Sequence, residues 1–269
     1  MDNPLVSIIT PTLNLVKYLE ACIQSVLDQS YPYIEHIFID GGSTDGTVEM
    51  LASYRAKYPD RIRFISEPDK GAADASNKGF RMAKGEILGW LGSAGMSEPG
   101  AIQTVVEFFR ANPDAYFVFG GLNYINAKGE ILEKLKFPTR DFNLEEAINA
   151  SCYIPTASAF YKREVIEKVG FMDTSVNAFD FDYWIRVGKV FQIHRVEKVL
   201  SNFRLHKDSR TCSSGAEYMH AREAFIIGRR YGASIFSPSA RRYFIYAIIR
   251  PLLPFLVRIN LLIRYKVKW

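Results

Sequence analysis

Short apolar runs alternate along the first half of the chain with stretches whose apolar residues recur every three or four positions. The runs LVSIITPT (5–12), IEHIFID (34–40), RIRFIS (61–66), EILGWL (86–91) and AYFVFGG (115–121) have the length and β-branched character of strands buried on both faces. Between them, KYLEACIQSVLDQ (17–29) places Leu19, Ile23, Val26 and Leu27 at helical spacing. A second helix opens at Asp45 and runs to Tyr58, a third spans 72–85 and stops at Gly85, and a fourth spans 98–113 with Pro99 near its start. This alternation predicts a doubly wound α/β sheet, mostly parallel, with right-handed crossovers. Ligands of such sheets gather at the carboxyl ends of the strands. Chemistry is therefore to be sought in PTLN, DGGSTDGT, EPDKGAAD and GSAGMS, which stand at those ends.

After residue 121 the rhythm changes. GEILEKLKF (129–137) alternates like a strand, IPTASAFYKREVIEKVGFMD (154–173) reads as strand, turn and helix, and FDFDYWIRVGKV (179–190) as an aromatic-rich helix. No internal repeat or low-complexity linker divides the chain. The expected organisation is one domain over 1–212 followed by a helical segment over 213–269.

Composition narrows this further. With 269 residues, 48% apolar and 23% charged, the chain suits one large globular domain with an appendage. Cys22, Cys152 and Cys212 form no CxxC pair and no zinc spacing, which predicts reduced thiols in a cytoplasmic protein. The opening MDNPLVSIIT reads as a first strand and not as a signal peptide. The net charge of +5 is unevenly placed: seven Lys and Arg and no acid fall in residues 241–269, leaving the rest mildly acidic. The basic balance therefore belongs to the tail and does not argue for a nucleic-acid partner.

SIITPTLN, IDGGSTDGT, DKGAADASNKG, GEILGWLGS with PGAI, and FDFDYWIRV occur in this order. Together they resemble the family 2 glycosyltransferases of the GT-A fold, over roughly residues 5–210. Any one of these motifs is weak, but five in register are specific. The resemblance implies a Rossmann-like sheet, transfer of a sugar from a nucleotide-diphosphate donor with inversion at the anomeric carbon, and an aspartate of the FDFDYW stretch as general base. An inverting transfer needs one carboxylate to take the acceptor's hydroxyl proton and positive charge for the departing diphosphate.

The candidate residues follow. Asp40 ends the second strand; the resemblance makes it the partner of the nucleobase, usually uracil, and the plainer role is capping the next turn. Pro11 and Thr12 close the first strand and line the base and ribose, or simply end a strand. Asp74 and Asn77 share a helical face, and Lys78 is spaced to pair with Asp74; the resemblance sets this face against the nucleotide, and the plainer reading is a solvated helix with one ion pair. Two carboxylates two positions apart on a helix point about 200° from each other, so Asp180 and Asp182 are not a working pair. The motif match selects Asp180 as the base and leaves Asp182 to support the helix or contact the acceptor. Trp184 is assigned to a wall of the acceptor pocket or to the core. FRLHKDSRT resembles the family's Arg-x-His segment, which directs Arg204, His206 and Lys207 toward the diphosphate.

One part of the frame is altered. In this family the fourth strand commonly leads to Asn-Ser-Asp-Asp before Pro-Gly-Ala, whereas here Gly92-Ser93-Ala94-Gly95 stands there. Ala94 and Gly95 offer no side-chain oxygen to the Mn2+ or Mg2+ ion that the family implies. Three readings stay open: a metal-independent enzyme with Lys78, Arg204, His206 or Lys207 supplying charge; a metal held with Glu98 or Asp69; and a nucleotide-binding or scaffolding homologue that has lost catalysis. A nucleotidyltransferase is a further alternative, although no Gly-rich triphosphate loop follows the first strand.

The tail 240–269 is apolar but interrupted by Arg250, Pro251, Pro254, Arg258 and Arg264, so a membrane-spanning helix is not expected. It suits a kinked interfacial helix on an anionic membrane surface, or a helical hairpin packed on the body or in a dimer. The expected protein is an inverting glycosyltransferase on the inner face of the cell membrane. It would use a UDP-sugar, with dTDP as alternative, and a saccharide or lipid-linked acceptor in surface polysaccharide synthesis.

Overall fold

The computed structural model describes residues 3–132, 140–206 and 216–258. Eight strands form one sheet. They are β1 (Val6–Thr12), β2 (Ile34–Asp40), β3 (Ile62–Ser66), β4 (Ile87–Trp90), β5 (Met96–Ser97), β6 (Phe117–Ile125), β7 (Ala159–Lys162) and β8 (Ile193–Arg204). The order across the sheet is β3-β2-β1-β4-β7-β6-β8-β5. β1 runs parallel to β2 and β4, and β2 to β3. β7 is inserted antiparallel between β4 and β6, β8 is parallel to β6, and β5 is antiparallel to β8.

Helices cover both faces. Neighbouring strand residues point to opposite sides, and the two cores divide accordingly. Ile9, Ile37, Phe117 and Phe119 pack against α3 (Ala72–Met82), α6 (Glu164–Val169) and α7 (Phe179–Gly188). Ile8, Ile87, Val118 and Phe160 pack against α1 (Val16–Leu27) and α4 (Ala101–Ala111). α2 (Thr47–Lys57) covers Phe38 and Ile62 at the β3 edge. A Cβ on Gly79 would run into Ile9, so this glycine lets α3 lie close on β1.

α5 (Leu144–Asn149) and α8 (Ala216–Arg230) share a core with α7 through Ala147, Phe181, Ile185, Ala224 and Ile227. α9 (Pro238–Arg258) packs on α8 through Tyr243, whose ring stacks on Phe225 at 5.1 Å. The expected boundary at 212 falls in the undescribed stretch 207–215. Across it, the helical segment begins by packing on the body.

The predicted first half is found, with local changes. The third helix ends at Met82, not at Gly85, because Ala83 is already extended. Gly85 instead serves a close approach: a Cβ there would stand 2.7 Å from the Leu5 carbonyl. The fourth helix starts after Gly100, which takes a φ of 73°, and leaves Pro99 outside. Of the strand expected over 129–137, Ile131 bridges Ile125, and residues 133–139 lie outside the described residues. β5, β8 and α5 were not anticipated.

The opposite end of the parallel strands is fastened by Glu35. Its Oε1 accepts from Ser7 Oγ and from the Lys84 backbone N–H, both at 2.6 Å, and its Oε2 from Arg63 at 2.8 Å. Burial pushes this carboxyl up, but the bonds from Ser7, Lys84 and Arg63 outweigh it and hold the group below the usual range. A lowered pKa stabilises the fold above the unfolded value, and that contribution is lost as pH falls through the folded one. Glu35→Gln should therefore cost roughly 2–3 kcal/mol at neutral pH, with the gap to wild type closing in acid. Denaturant unfolding across pH checks this; a gap independent of pH would contradict it.

Candidate active site

The parallel register sets three strand ends level, Thr12 beside Asp40 and Asp40 beside Ser66. Asp40 is fully buried there. Its Oδ2 accepts from the Gly42 and Ser43 backbone N–H groups at 3.0 and 2.9 Å and from Ser66 Oγ at 2.7 Å. Its Oδ1 accepts from Ser43 Oγ at 2.5 Å. Asp40 thus holds the turn that follows β2. Of the two roles expected of Asp40, the one visible here is the capping of that turn. Beside it, Thr12 Oγ1 is buried without a hydrogen-bond partner, the kind of orphaned group that calls for a ligand or a water. Pro11, half-buried, completes the end of β1.

The α3 candidates separate. Lys78 Nζ lies 2.7 Å from Glu67 Oε1 and 3.0 Å from the Pro68 carbonyl, with Asp74 at 3.9 Å, so the expected pairing with Asp74 is secondary. Asp74 Oδ2 accepts from the Lys70 backbone N–H at 3.1 Å. These two close the loop 67–71 against the helix. Asn77 faces elsewhere: its amide exchanges two bonds with the Met172 backbone, at 2.9 and 3.0 Å, and is buried. It therefore ties α3 to the loop after α6 and does not present its amide to a nucleotide.

After β4 the chain makes the tight turn Gly92–Gly95, closed by the Gly95 N–H on the Gly92 carbonyl at 2.8 Å. Arg204 at the end of β8 lies behind it, only 4% exposed. Its Nε donates to the Ala94 carbonyl at 2.9 Å, its Nη1 to the Asn126 and Ala127 carbonyls at 3.1 and 3.2 Å, and its Nη2 to the Met96 sulfur. The guanidinium also sits over the Tyr18 ring, 5.1 Å from its centroid, and the His206 ring lies 5.1 Å from the same ring. Tyr18 thus brings Arg204 and His206 together. Lys207 lies outside the described residues.

The residues around this turn do not fit a divalent ion. Ala94 and Gly95 supply no side-chain oxygen, and the Arg204 cation is bonded to Ala94 itself. Glu98 Oε1 accepts from Asn202 at 2.6 Å, and Asp69 Oδ1 accepts from the Gly71 backbone N–H at 2.7 Å. Among the described residues no group of three His, Cys, Asp or Glu side chains converges to hold a metal. Burial pushes the Cys22 thiol up to about 12 and the Cys152 thiol higher still, so neither is a thiolate near neutrality. Cys212 lies outside the described residues.

Asp180 opens α7 at the same edge of the sheet and is half-buried. Its Oδ2 accepts from Thr156 Oγ1 at 2.8 Å, and its Oδ1 from the Phe181 N–H at 2.9 Å. Thr156 stands in the 3-10 turn Thr156–Ser158 that leads into β7; its hydroxyl was not singled out in the sequence, where IPTASAF shows only a strand approach. Asp182, 1% exposed, points the other way and accepts from Arg186 at 2.9 Å, Arg230 at 3.0 Å and Tyr231 at 2.7 Å. Trp184 is 1% exposed and packed against Phe117, Tyr161 and Tyr183. It belongs to the core and forms no acceptor wall.

The model of the family described as glycosyl transferase family 2 matches residues 7–170. The chain belongs to that family. As a family 2 glycosyltransferase it is 31% identical over 211 residues to the chondroitin synthase of Escherichia coli, covering 77% of this chain but only 30% of that protein. It is 30% identical over 209 residues to the putative teichuronic acid biosynthesis glycosyltransferase TuaG of Bacillus subtilis, covering 77% of this chain and 81% of that one. Across the first curated relatives the chain spans between about a fifth and about half of their length. The fold is that of the mannosyltransferase PcManGT from Pyrobaculum calidifontis, solved with GDP-Man and Mn2+, with a TM-score of 0.66 at 19% identity over 98% of this chain and 81% of that one. S. aureus TarS 1–349, solved with UDP-GlcNAc, gives 0.62 at 16% identity over 81% and 66% of the two chains. The GT-A fold expected from the motifs is thus the fold found.

The two aspartates of α7 make a direct test of this geometry. Asp182→Asn leaves Arg186 and Arg230 without their shared carboxylate and should cost about 2–4 kcal/mol, less than for a fully buried pair because both arginines are partly exposed. Asp180→Asn should leave the melting temperature nearly unchanged. Thermal denaturation of both variants checks the contrast.

Proposed function

We propose that this glycosyltransferase moves a sugar, with inversion, from a UDP-sugar to a hydroxyl of a saccharide or lipid-linked acceptor, with Asp180 as the general base. The observation that carries the reading is the Asp180 carboxylate at the carboxyl edge of the sheet, half-buried and steered by Thr156. There it can accept a proton from a hydroxyl attacking from the open side. The nucleoside lies over the ends of β1 and β2, where Thr12 has an unused hydroxyl and Asp40 shapes the floor. In this reading base and sugar occupy two stations on one edge, and the level ends of the strands are in keeping with it.

Polysaccharide synthesis is the proposed setting, in keeping with the names of the chondroitin synthase and TuaG relatives. Attachment to an anionic membrane surface through 240–269 is part of the same reading. On α9, Arg241, Phe244, Ile245 and Ile248 follow one helical stripe, the last three 47%, 55% and 63% exposed, and Phe236 before it is 79% exposed. No helix among the described residues is long and apolar enough to cross a membrane. The absence of carboxylates at 94 and 95 supports a rival reading, a homologue that binds nucleotide without turnover.

Asp180→Asn separates the two. Under the catalytic reading it should lower transfer about 10²- to 10⁴-fold with unchanged UDP affinity, followed by UDP release and calorimetry; a wild type that binds UDP but transfers nothing would support the rival. For the membrane, the protein should co-sediment with phosphatidylglycerol vesicles and be released by salt, and Phe244→Glu should weaken that binding. Equal sedimentation with neutral vesicles would remove the electrostatic part of the reading.

A further inference from the structure

The turn Gly92–Gly95 follows β4, between the two stations of the donor reading. On one side β1 and β2 end at Thr12 and Asp40, and on the other the turn entering β7 holds Asp180; β4 stands between β1 and β7 in the sheet. A nucleotide-sugar with its base over the first station and its sugar at the second has its diphosphate over the end of β4. What lies behind that turn is Arg204.

Resting on the donor reading above, we propose that this chain counters the diphosphate with the fixed charge of Arg204 in place of a divalent ion, so that donor binding is metal-independent. Arg204 is bonded to three carbonyls and a thioether. Such acceptors take four of its five N–H groups and leave its charge uncancelled. Among the described residues no acid lies within ion-pair distance of it, whereas buried arginines are ordinarily paired. The charge is therefore available to an incoming anion.

The same arrangement opposes a metal. A dication held at Ala94 would face a guanidinium bonded to that residue's own carbonyl. A side chain at position 95 is also crowded, since a Cβ there would stand 3.1 Å from the Asn202 carbonyl and 3.2 Å from that of Gly92. Being nearly covered, Arg204 acts on the diphosphate mainly through its field across the turn. It is a positioning residue for charge, not a group that touches the reacting carbon.

The test is calorimetric titration of UDP and of uridine, in EDTA and in excess MnCl2. The expected result for the wild type is one UDP affinity in both conditions. Arg204→Gln should weaken UDP about 10- to 100-fold and leave uridine unchanged. A merely structural loss would weaken both ligands together, with a lowered melting temperature. Ala94→Asp, at a half-exposed turn position, tests the same charge without removing the arginine: a carboxylate beside Arg204 should weaken UDP in EDTA. UDP binding that requires Mn2+ would overturn the inference and leave the donor reading intact. UDP weakened by neither variant would overturn the role of Arg204. Failure of both UDP and uridine to bind in either condition would instead sink the donor reading itself.

Discussion

Parallel pairing of β1 with both β2 and β4 is the constraint on which the rest of this molecule depends. It fixes the register, sets the strand ends level, and obliges each connection to return by a helix. All seven residues of β2 are buried, so groups meant for a ligand can stand only where the strands stop. The chain meets this requirement with a change of chemistry at each strand end: Thr12, then Asp40 and its serines, then the glycine turn after β4. The antiparallel insertion of β7 extends the same edge, because a strand running the other way begins where its neighbours end. That is how Thr156, on the approach to β7, comes to face the base of a helix far along the chain.

Much of this was legible in the sequence, and the exceptions share a physical cause. The central strands announce themselves because burial on both faces leaves them almost wholly apolar. β8 does not: it carries Arg195, Glu197 and Lys198 along a partly exposed middle, so no single period survives. Among the site residues, type and location were readable, but direction was not. Asp40 stands at the expected edge, yet four local donors claim its oxygens. Asn77 is on the expected helix but turned to the Met172 backbone, a partner 95 positions away. Tyr18 gave no signal, since an aromatic beside an apolar helix face reads as core until a cation is found above it.

Asp180 and Asp182 show how two like residues on one helix divide structure from chemistry. The rotation of the helix sends one carboxylate to the open edge and the other into the contact with α8. Asp182 gathers two arginines and a tyrosine, while Phe181 and Ile185 share a core with Ala224 and Ile227. The helix that carries the proposed base is thereby fastened to the start of the C-terminal segment. Whatever surface holds α9 is mechanically joined, through α8, to the residue that would take the acceptor's proton.

An arginine in place of a metal, as proposed here, would change the character of the site beyond the loss of one charge. A divalent ion arrives with or after the nucleotide, brings twice the charge, and leaves the empty site anionic. A buried guanidinium is present from the moment the chain folds, and its desolvation must be offset continuously. Burial lowers its pKa, but the starting value is so high that it remains a cation. The carbonyls of Ala94, Asn126 and Ala127 provide part of that offset. The turn that elsewhere presents carboxylates here presents its backbone to a cation. With no side-chain acid at 94 or 95, and none within ion-pair distance among the described residues, the charge of Arg204 is held by backbone dipoles and is left to act on a diphosphate passing over that turn.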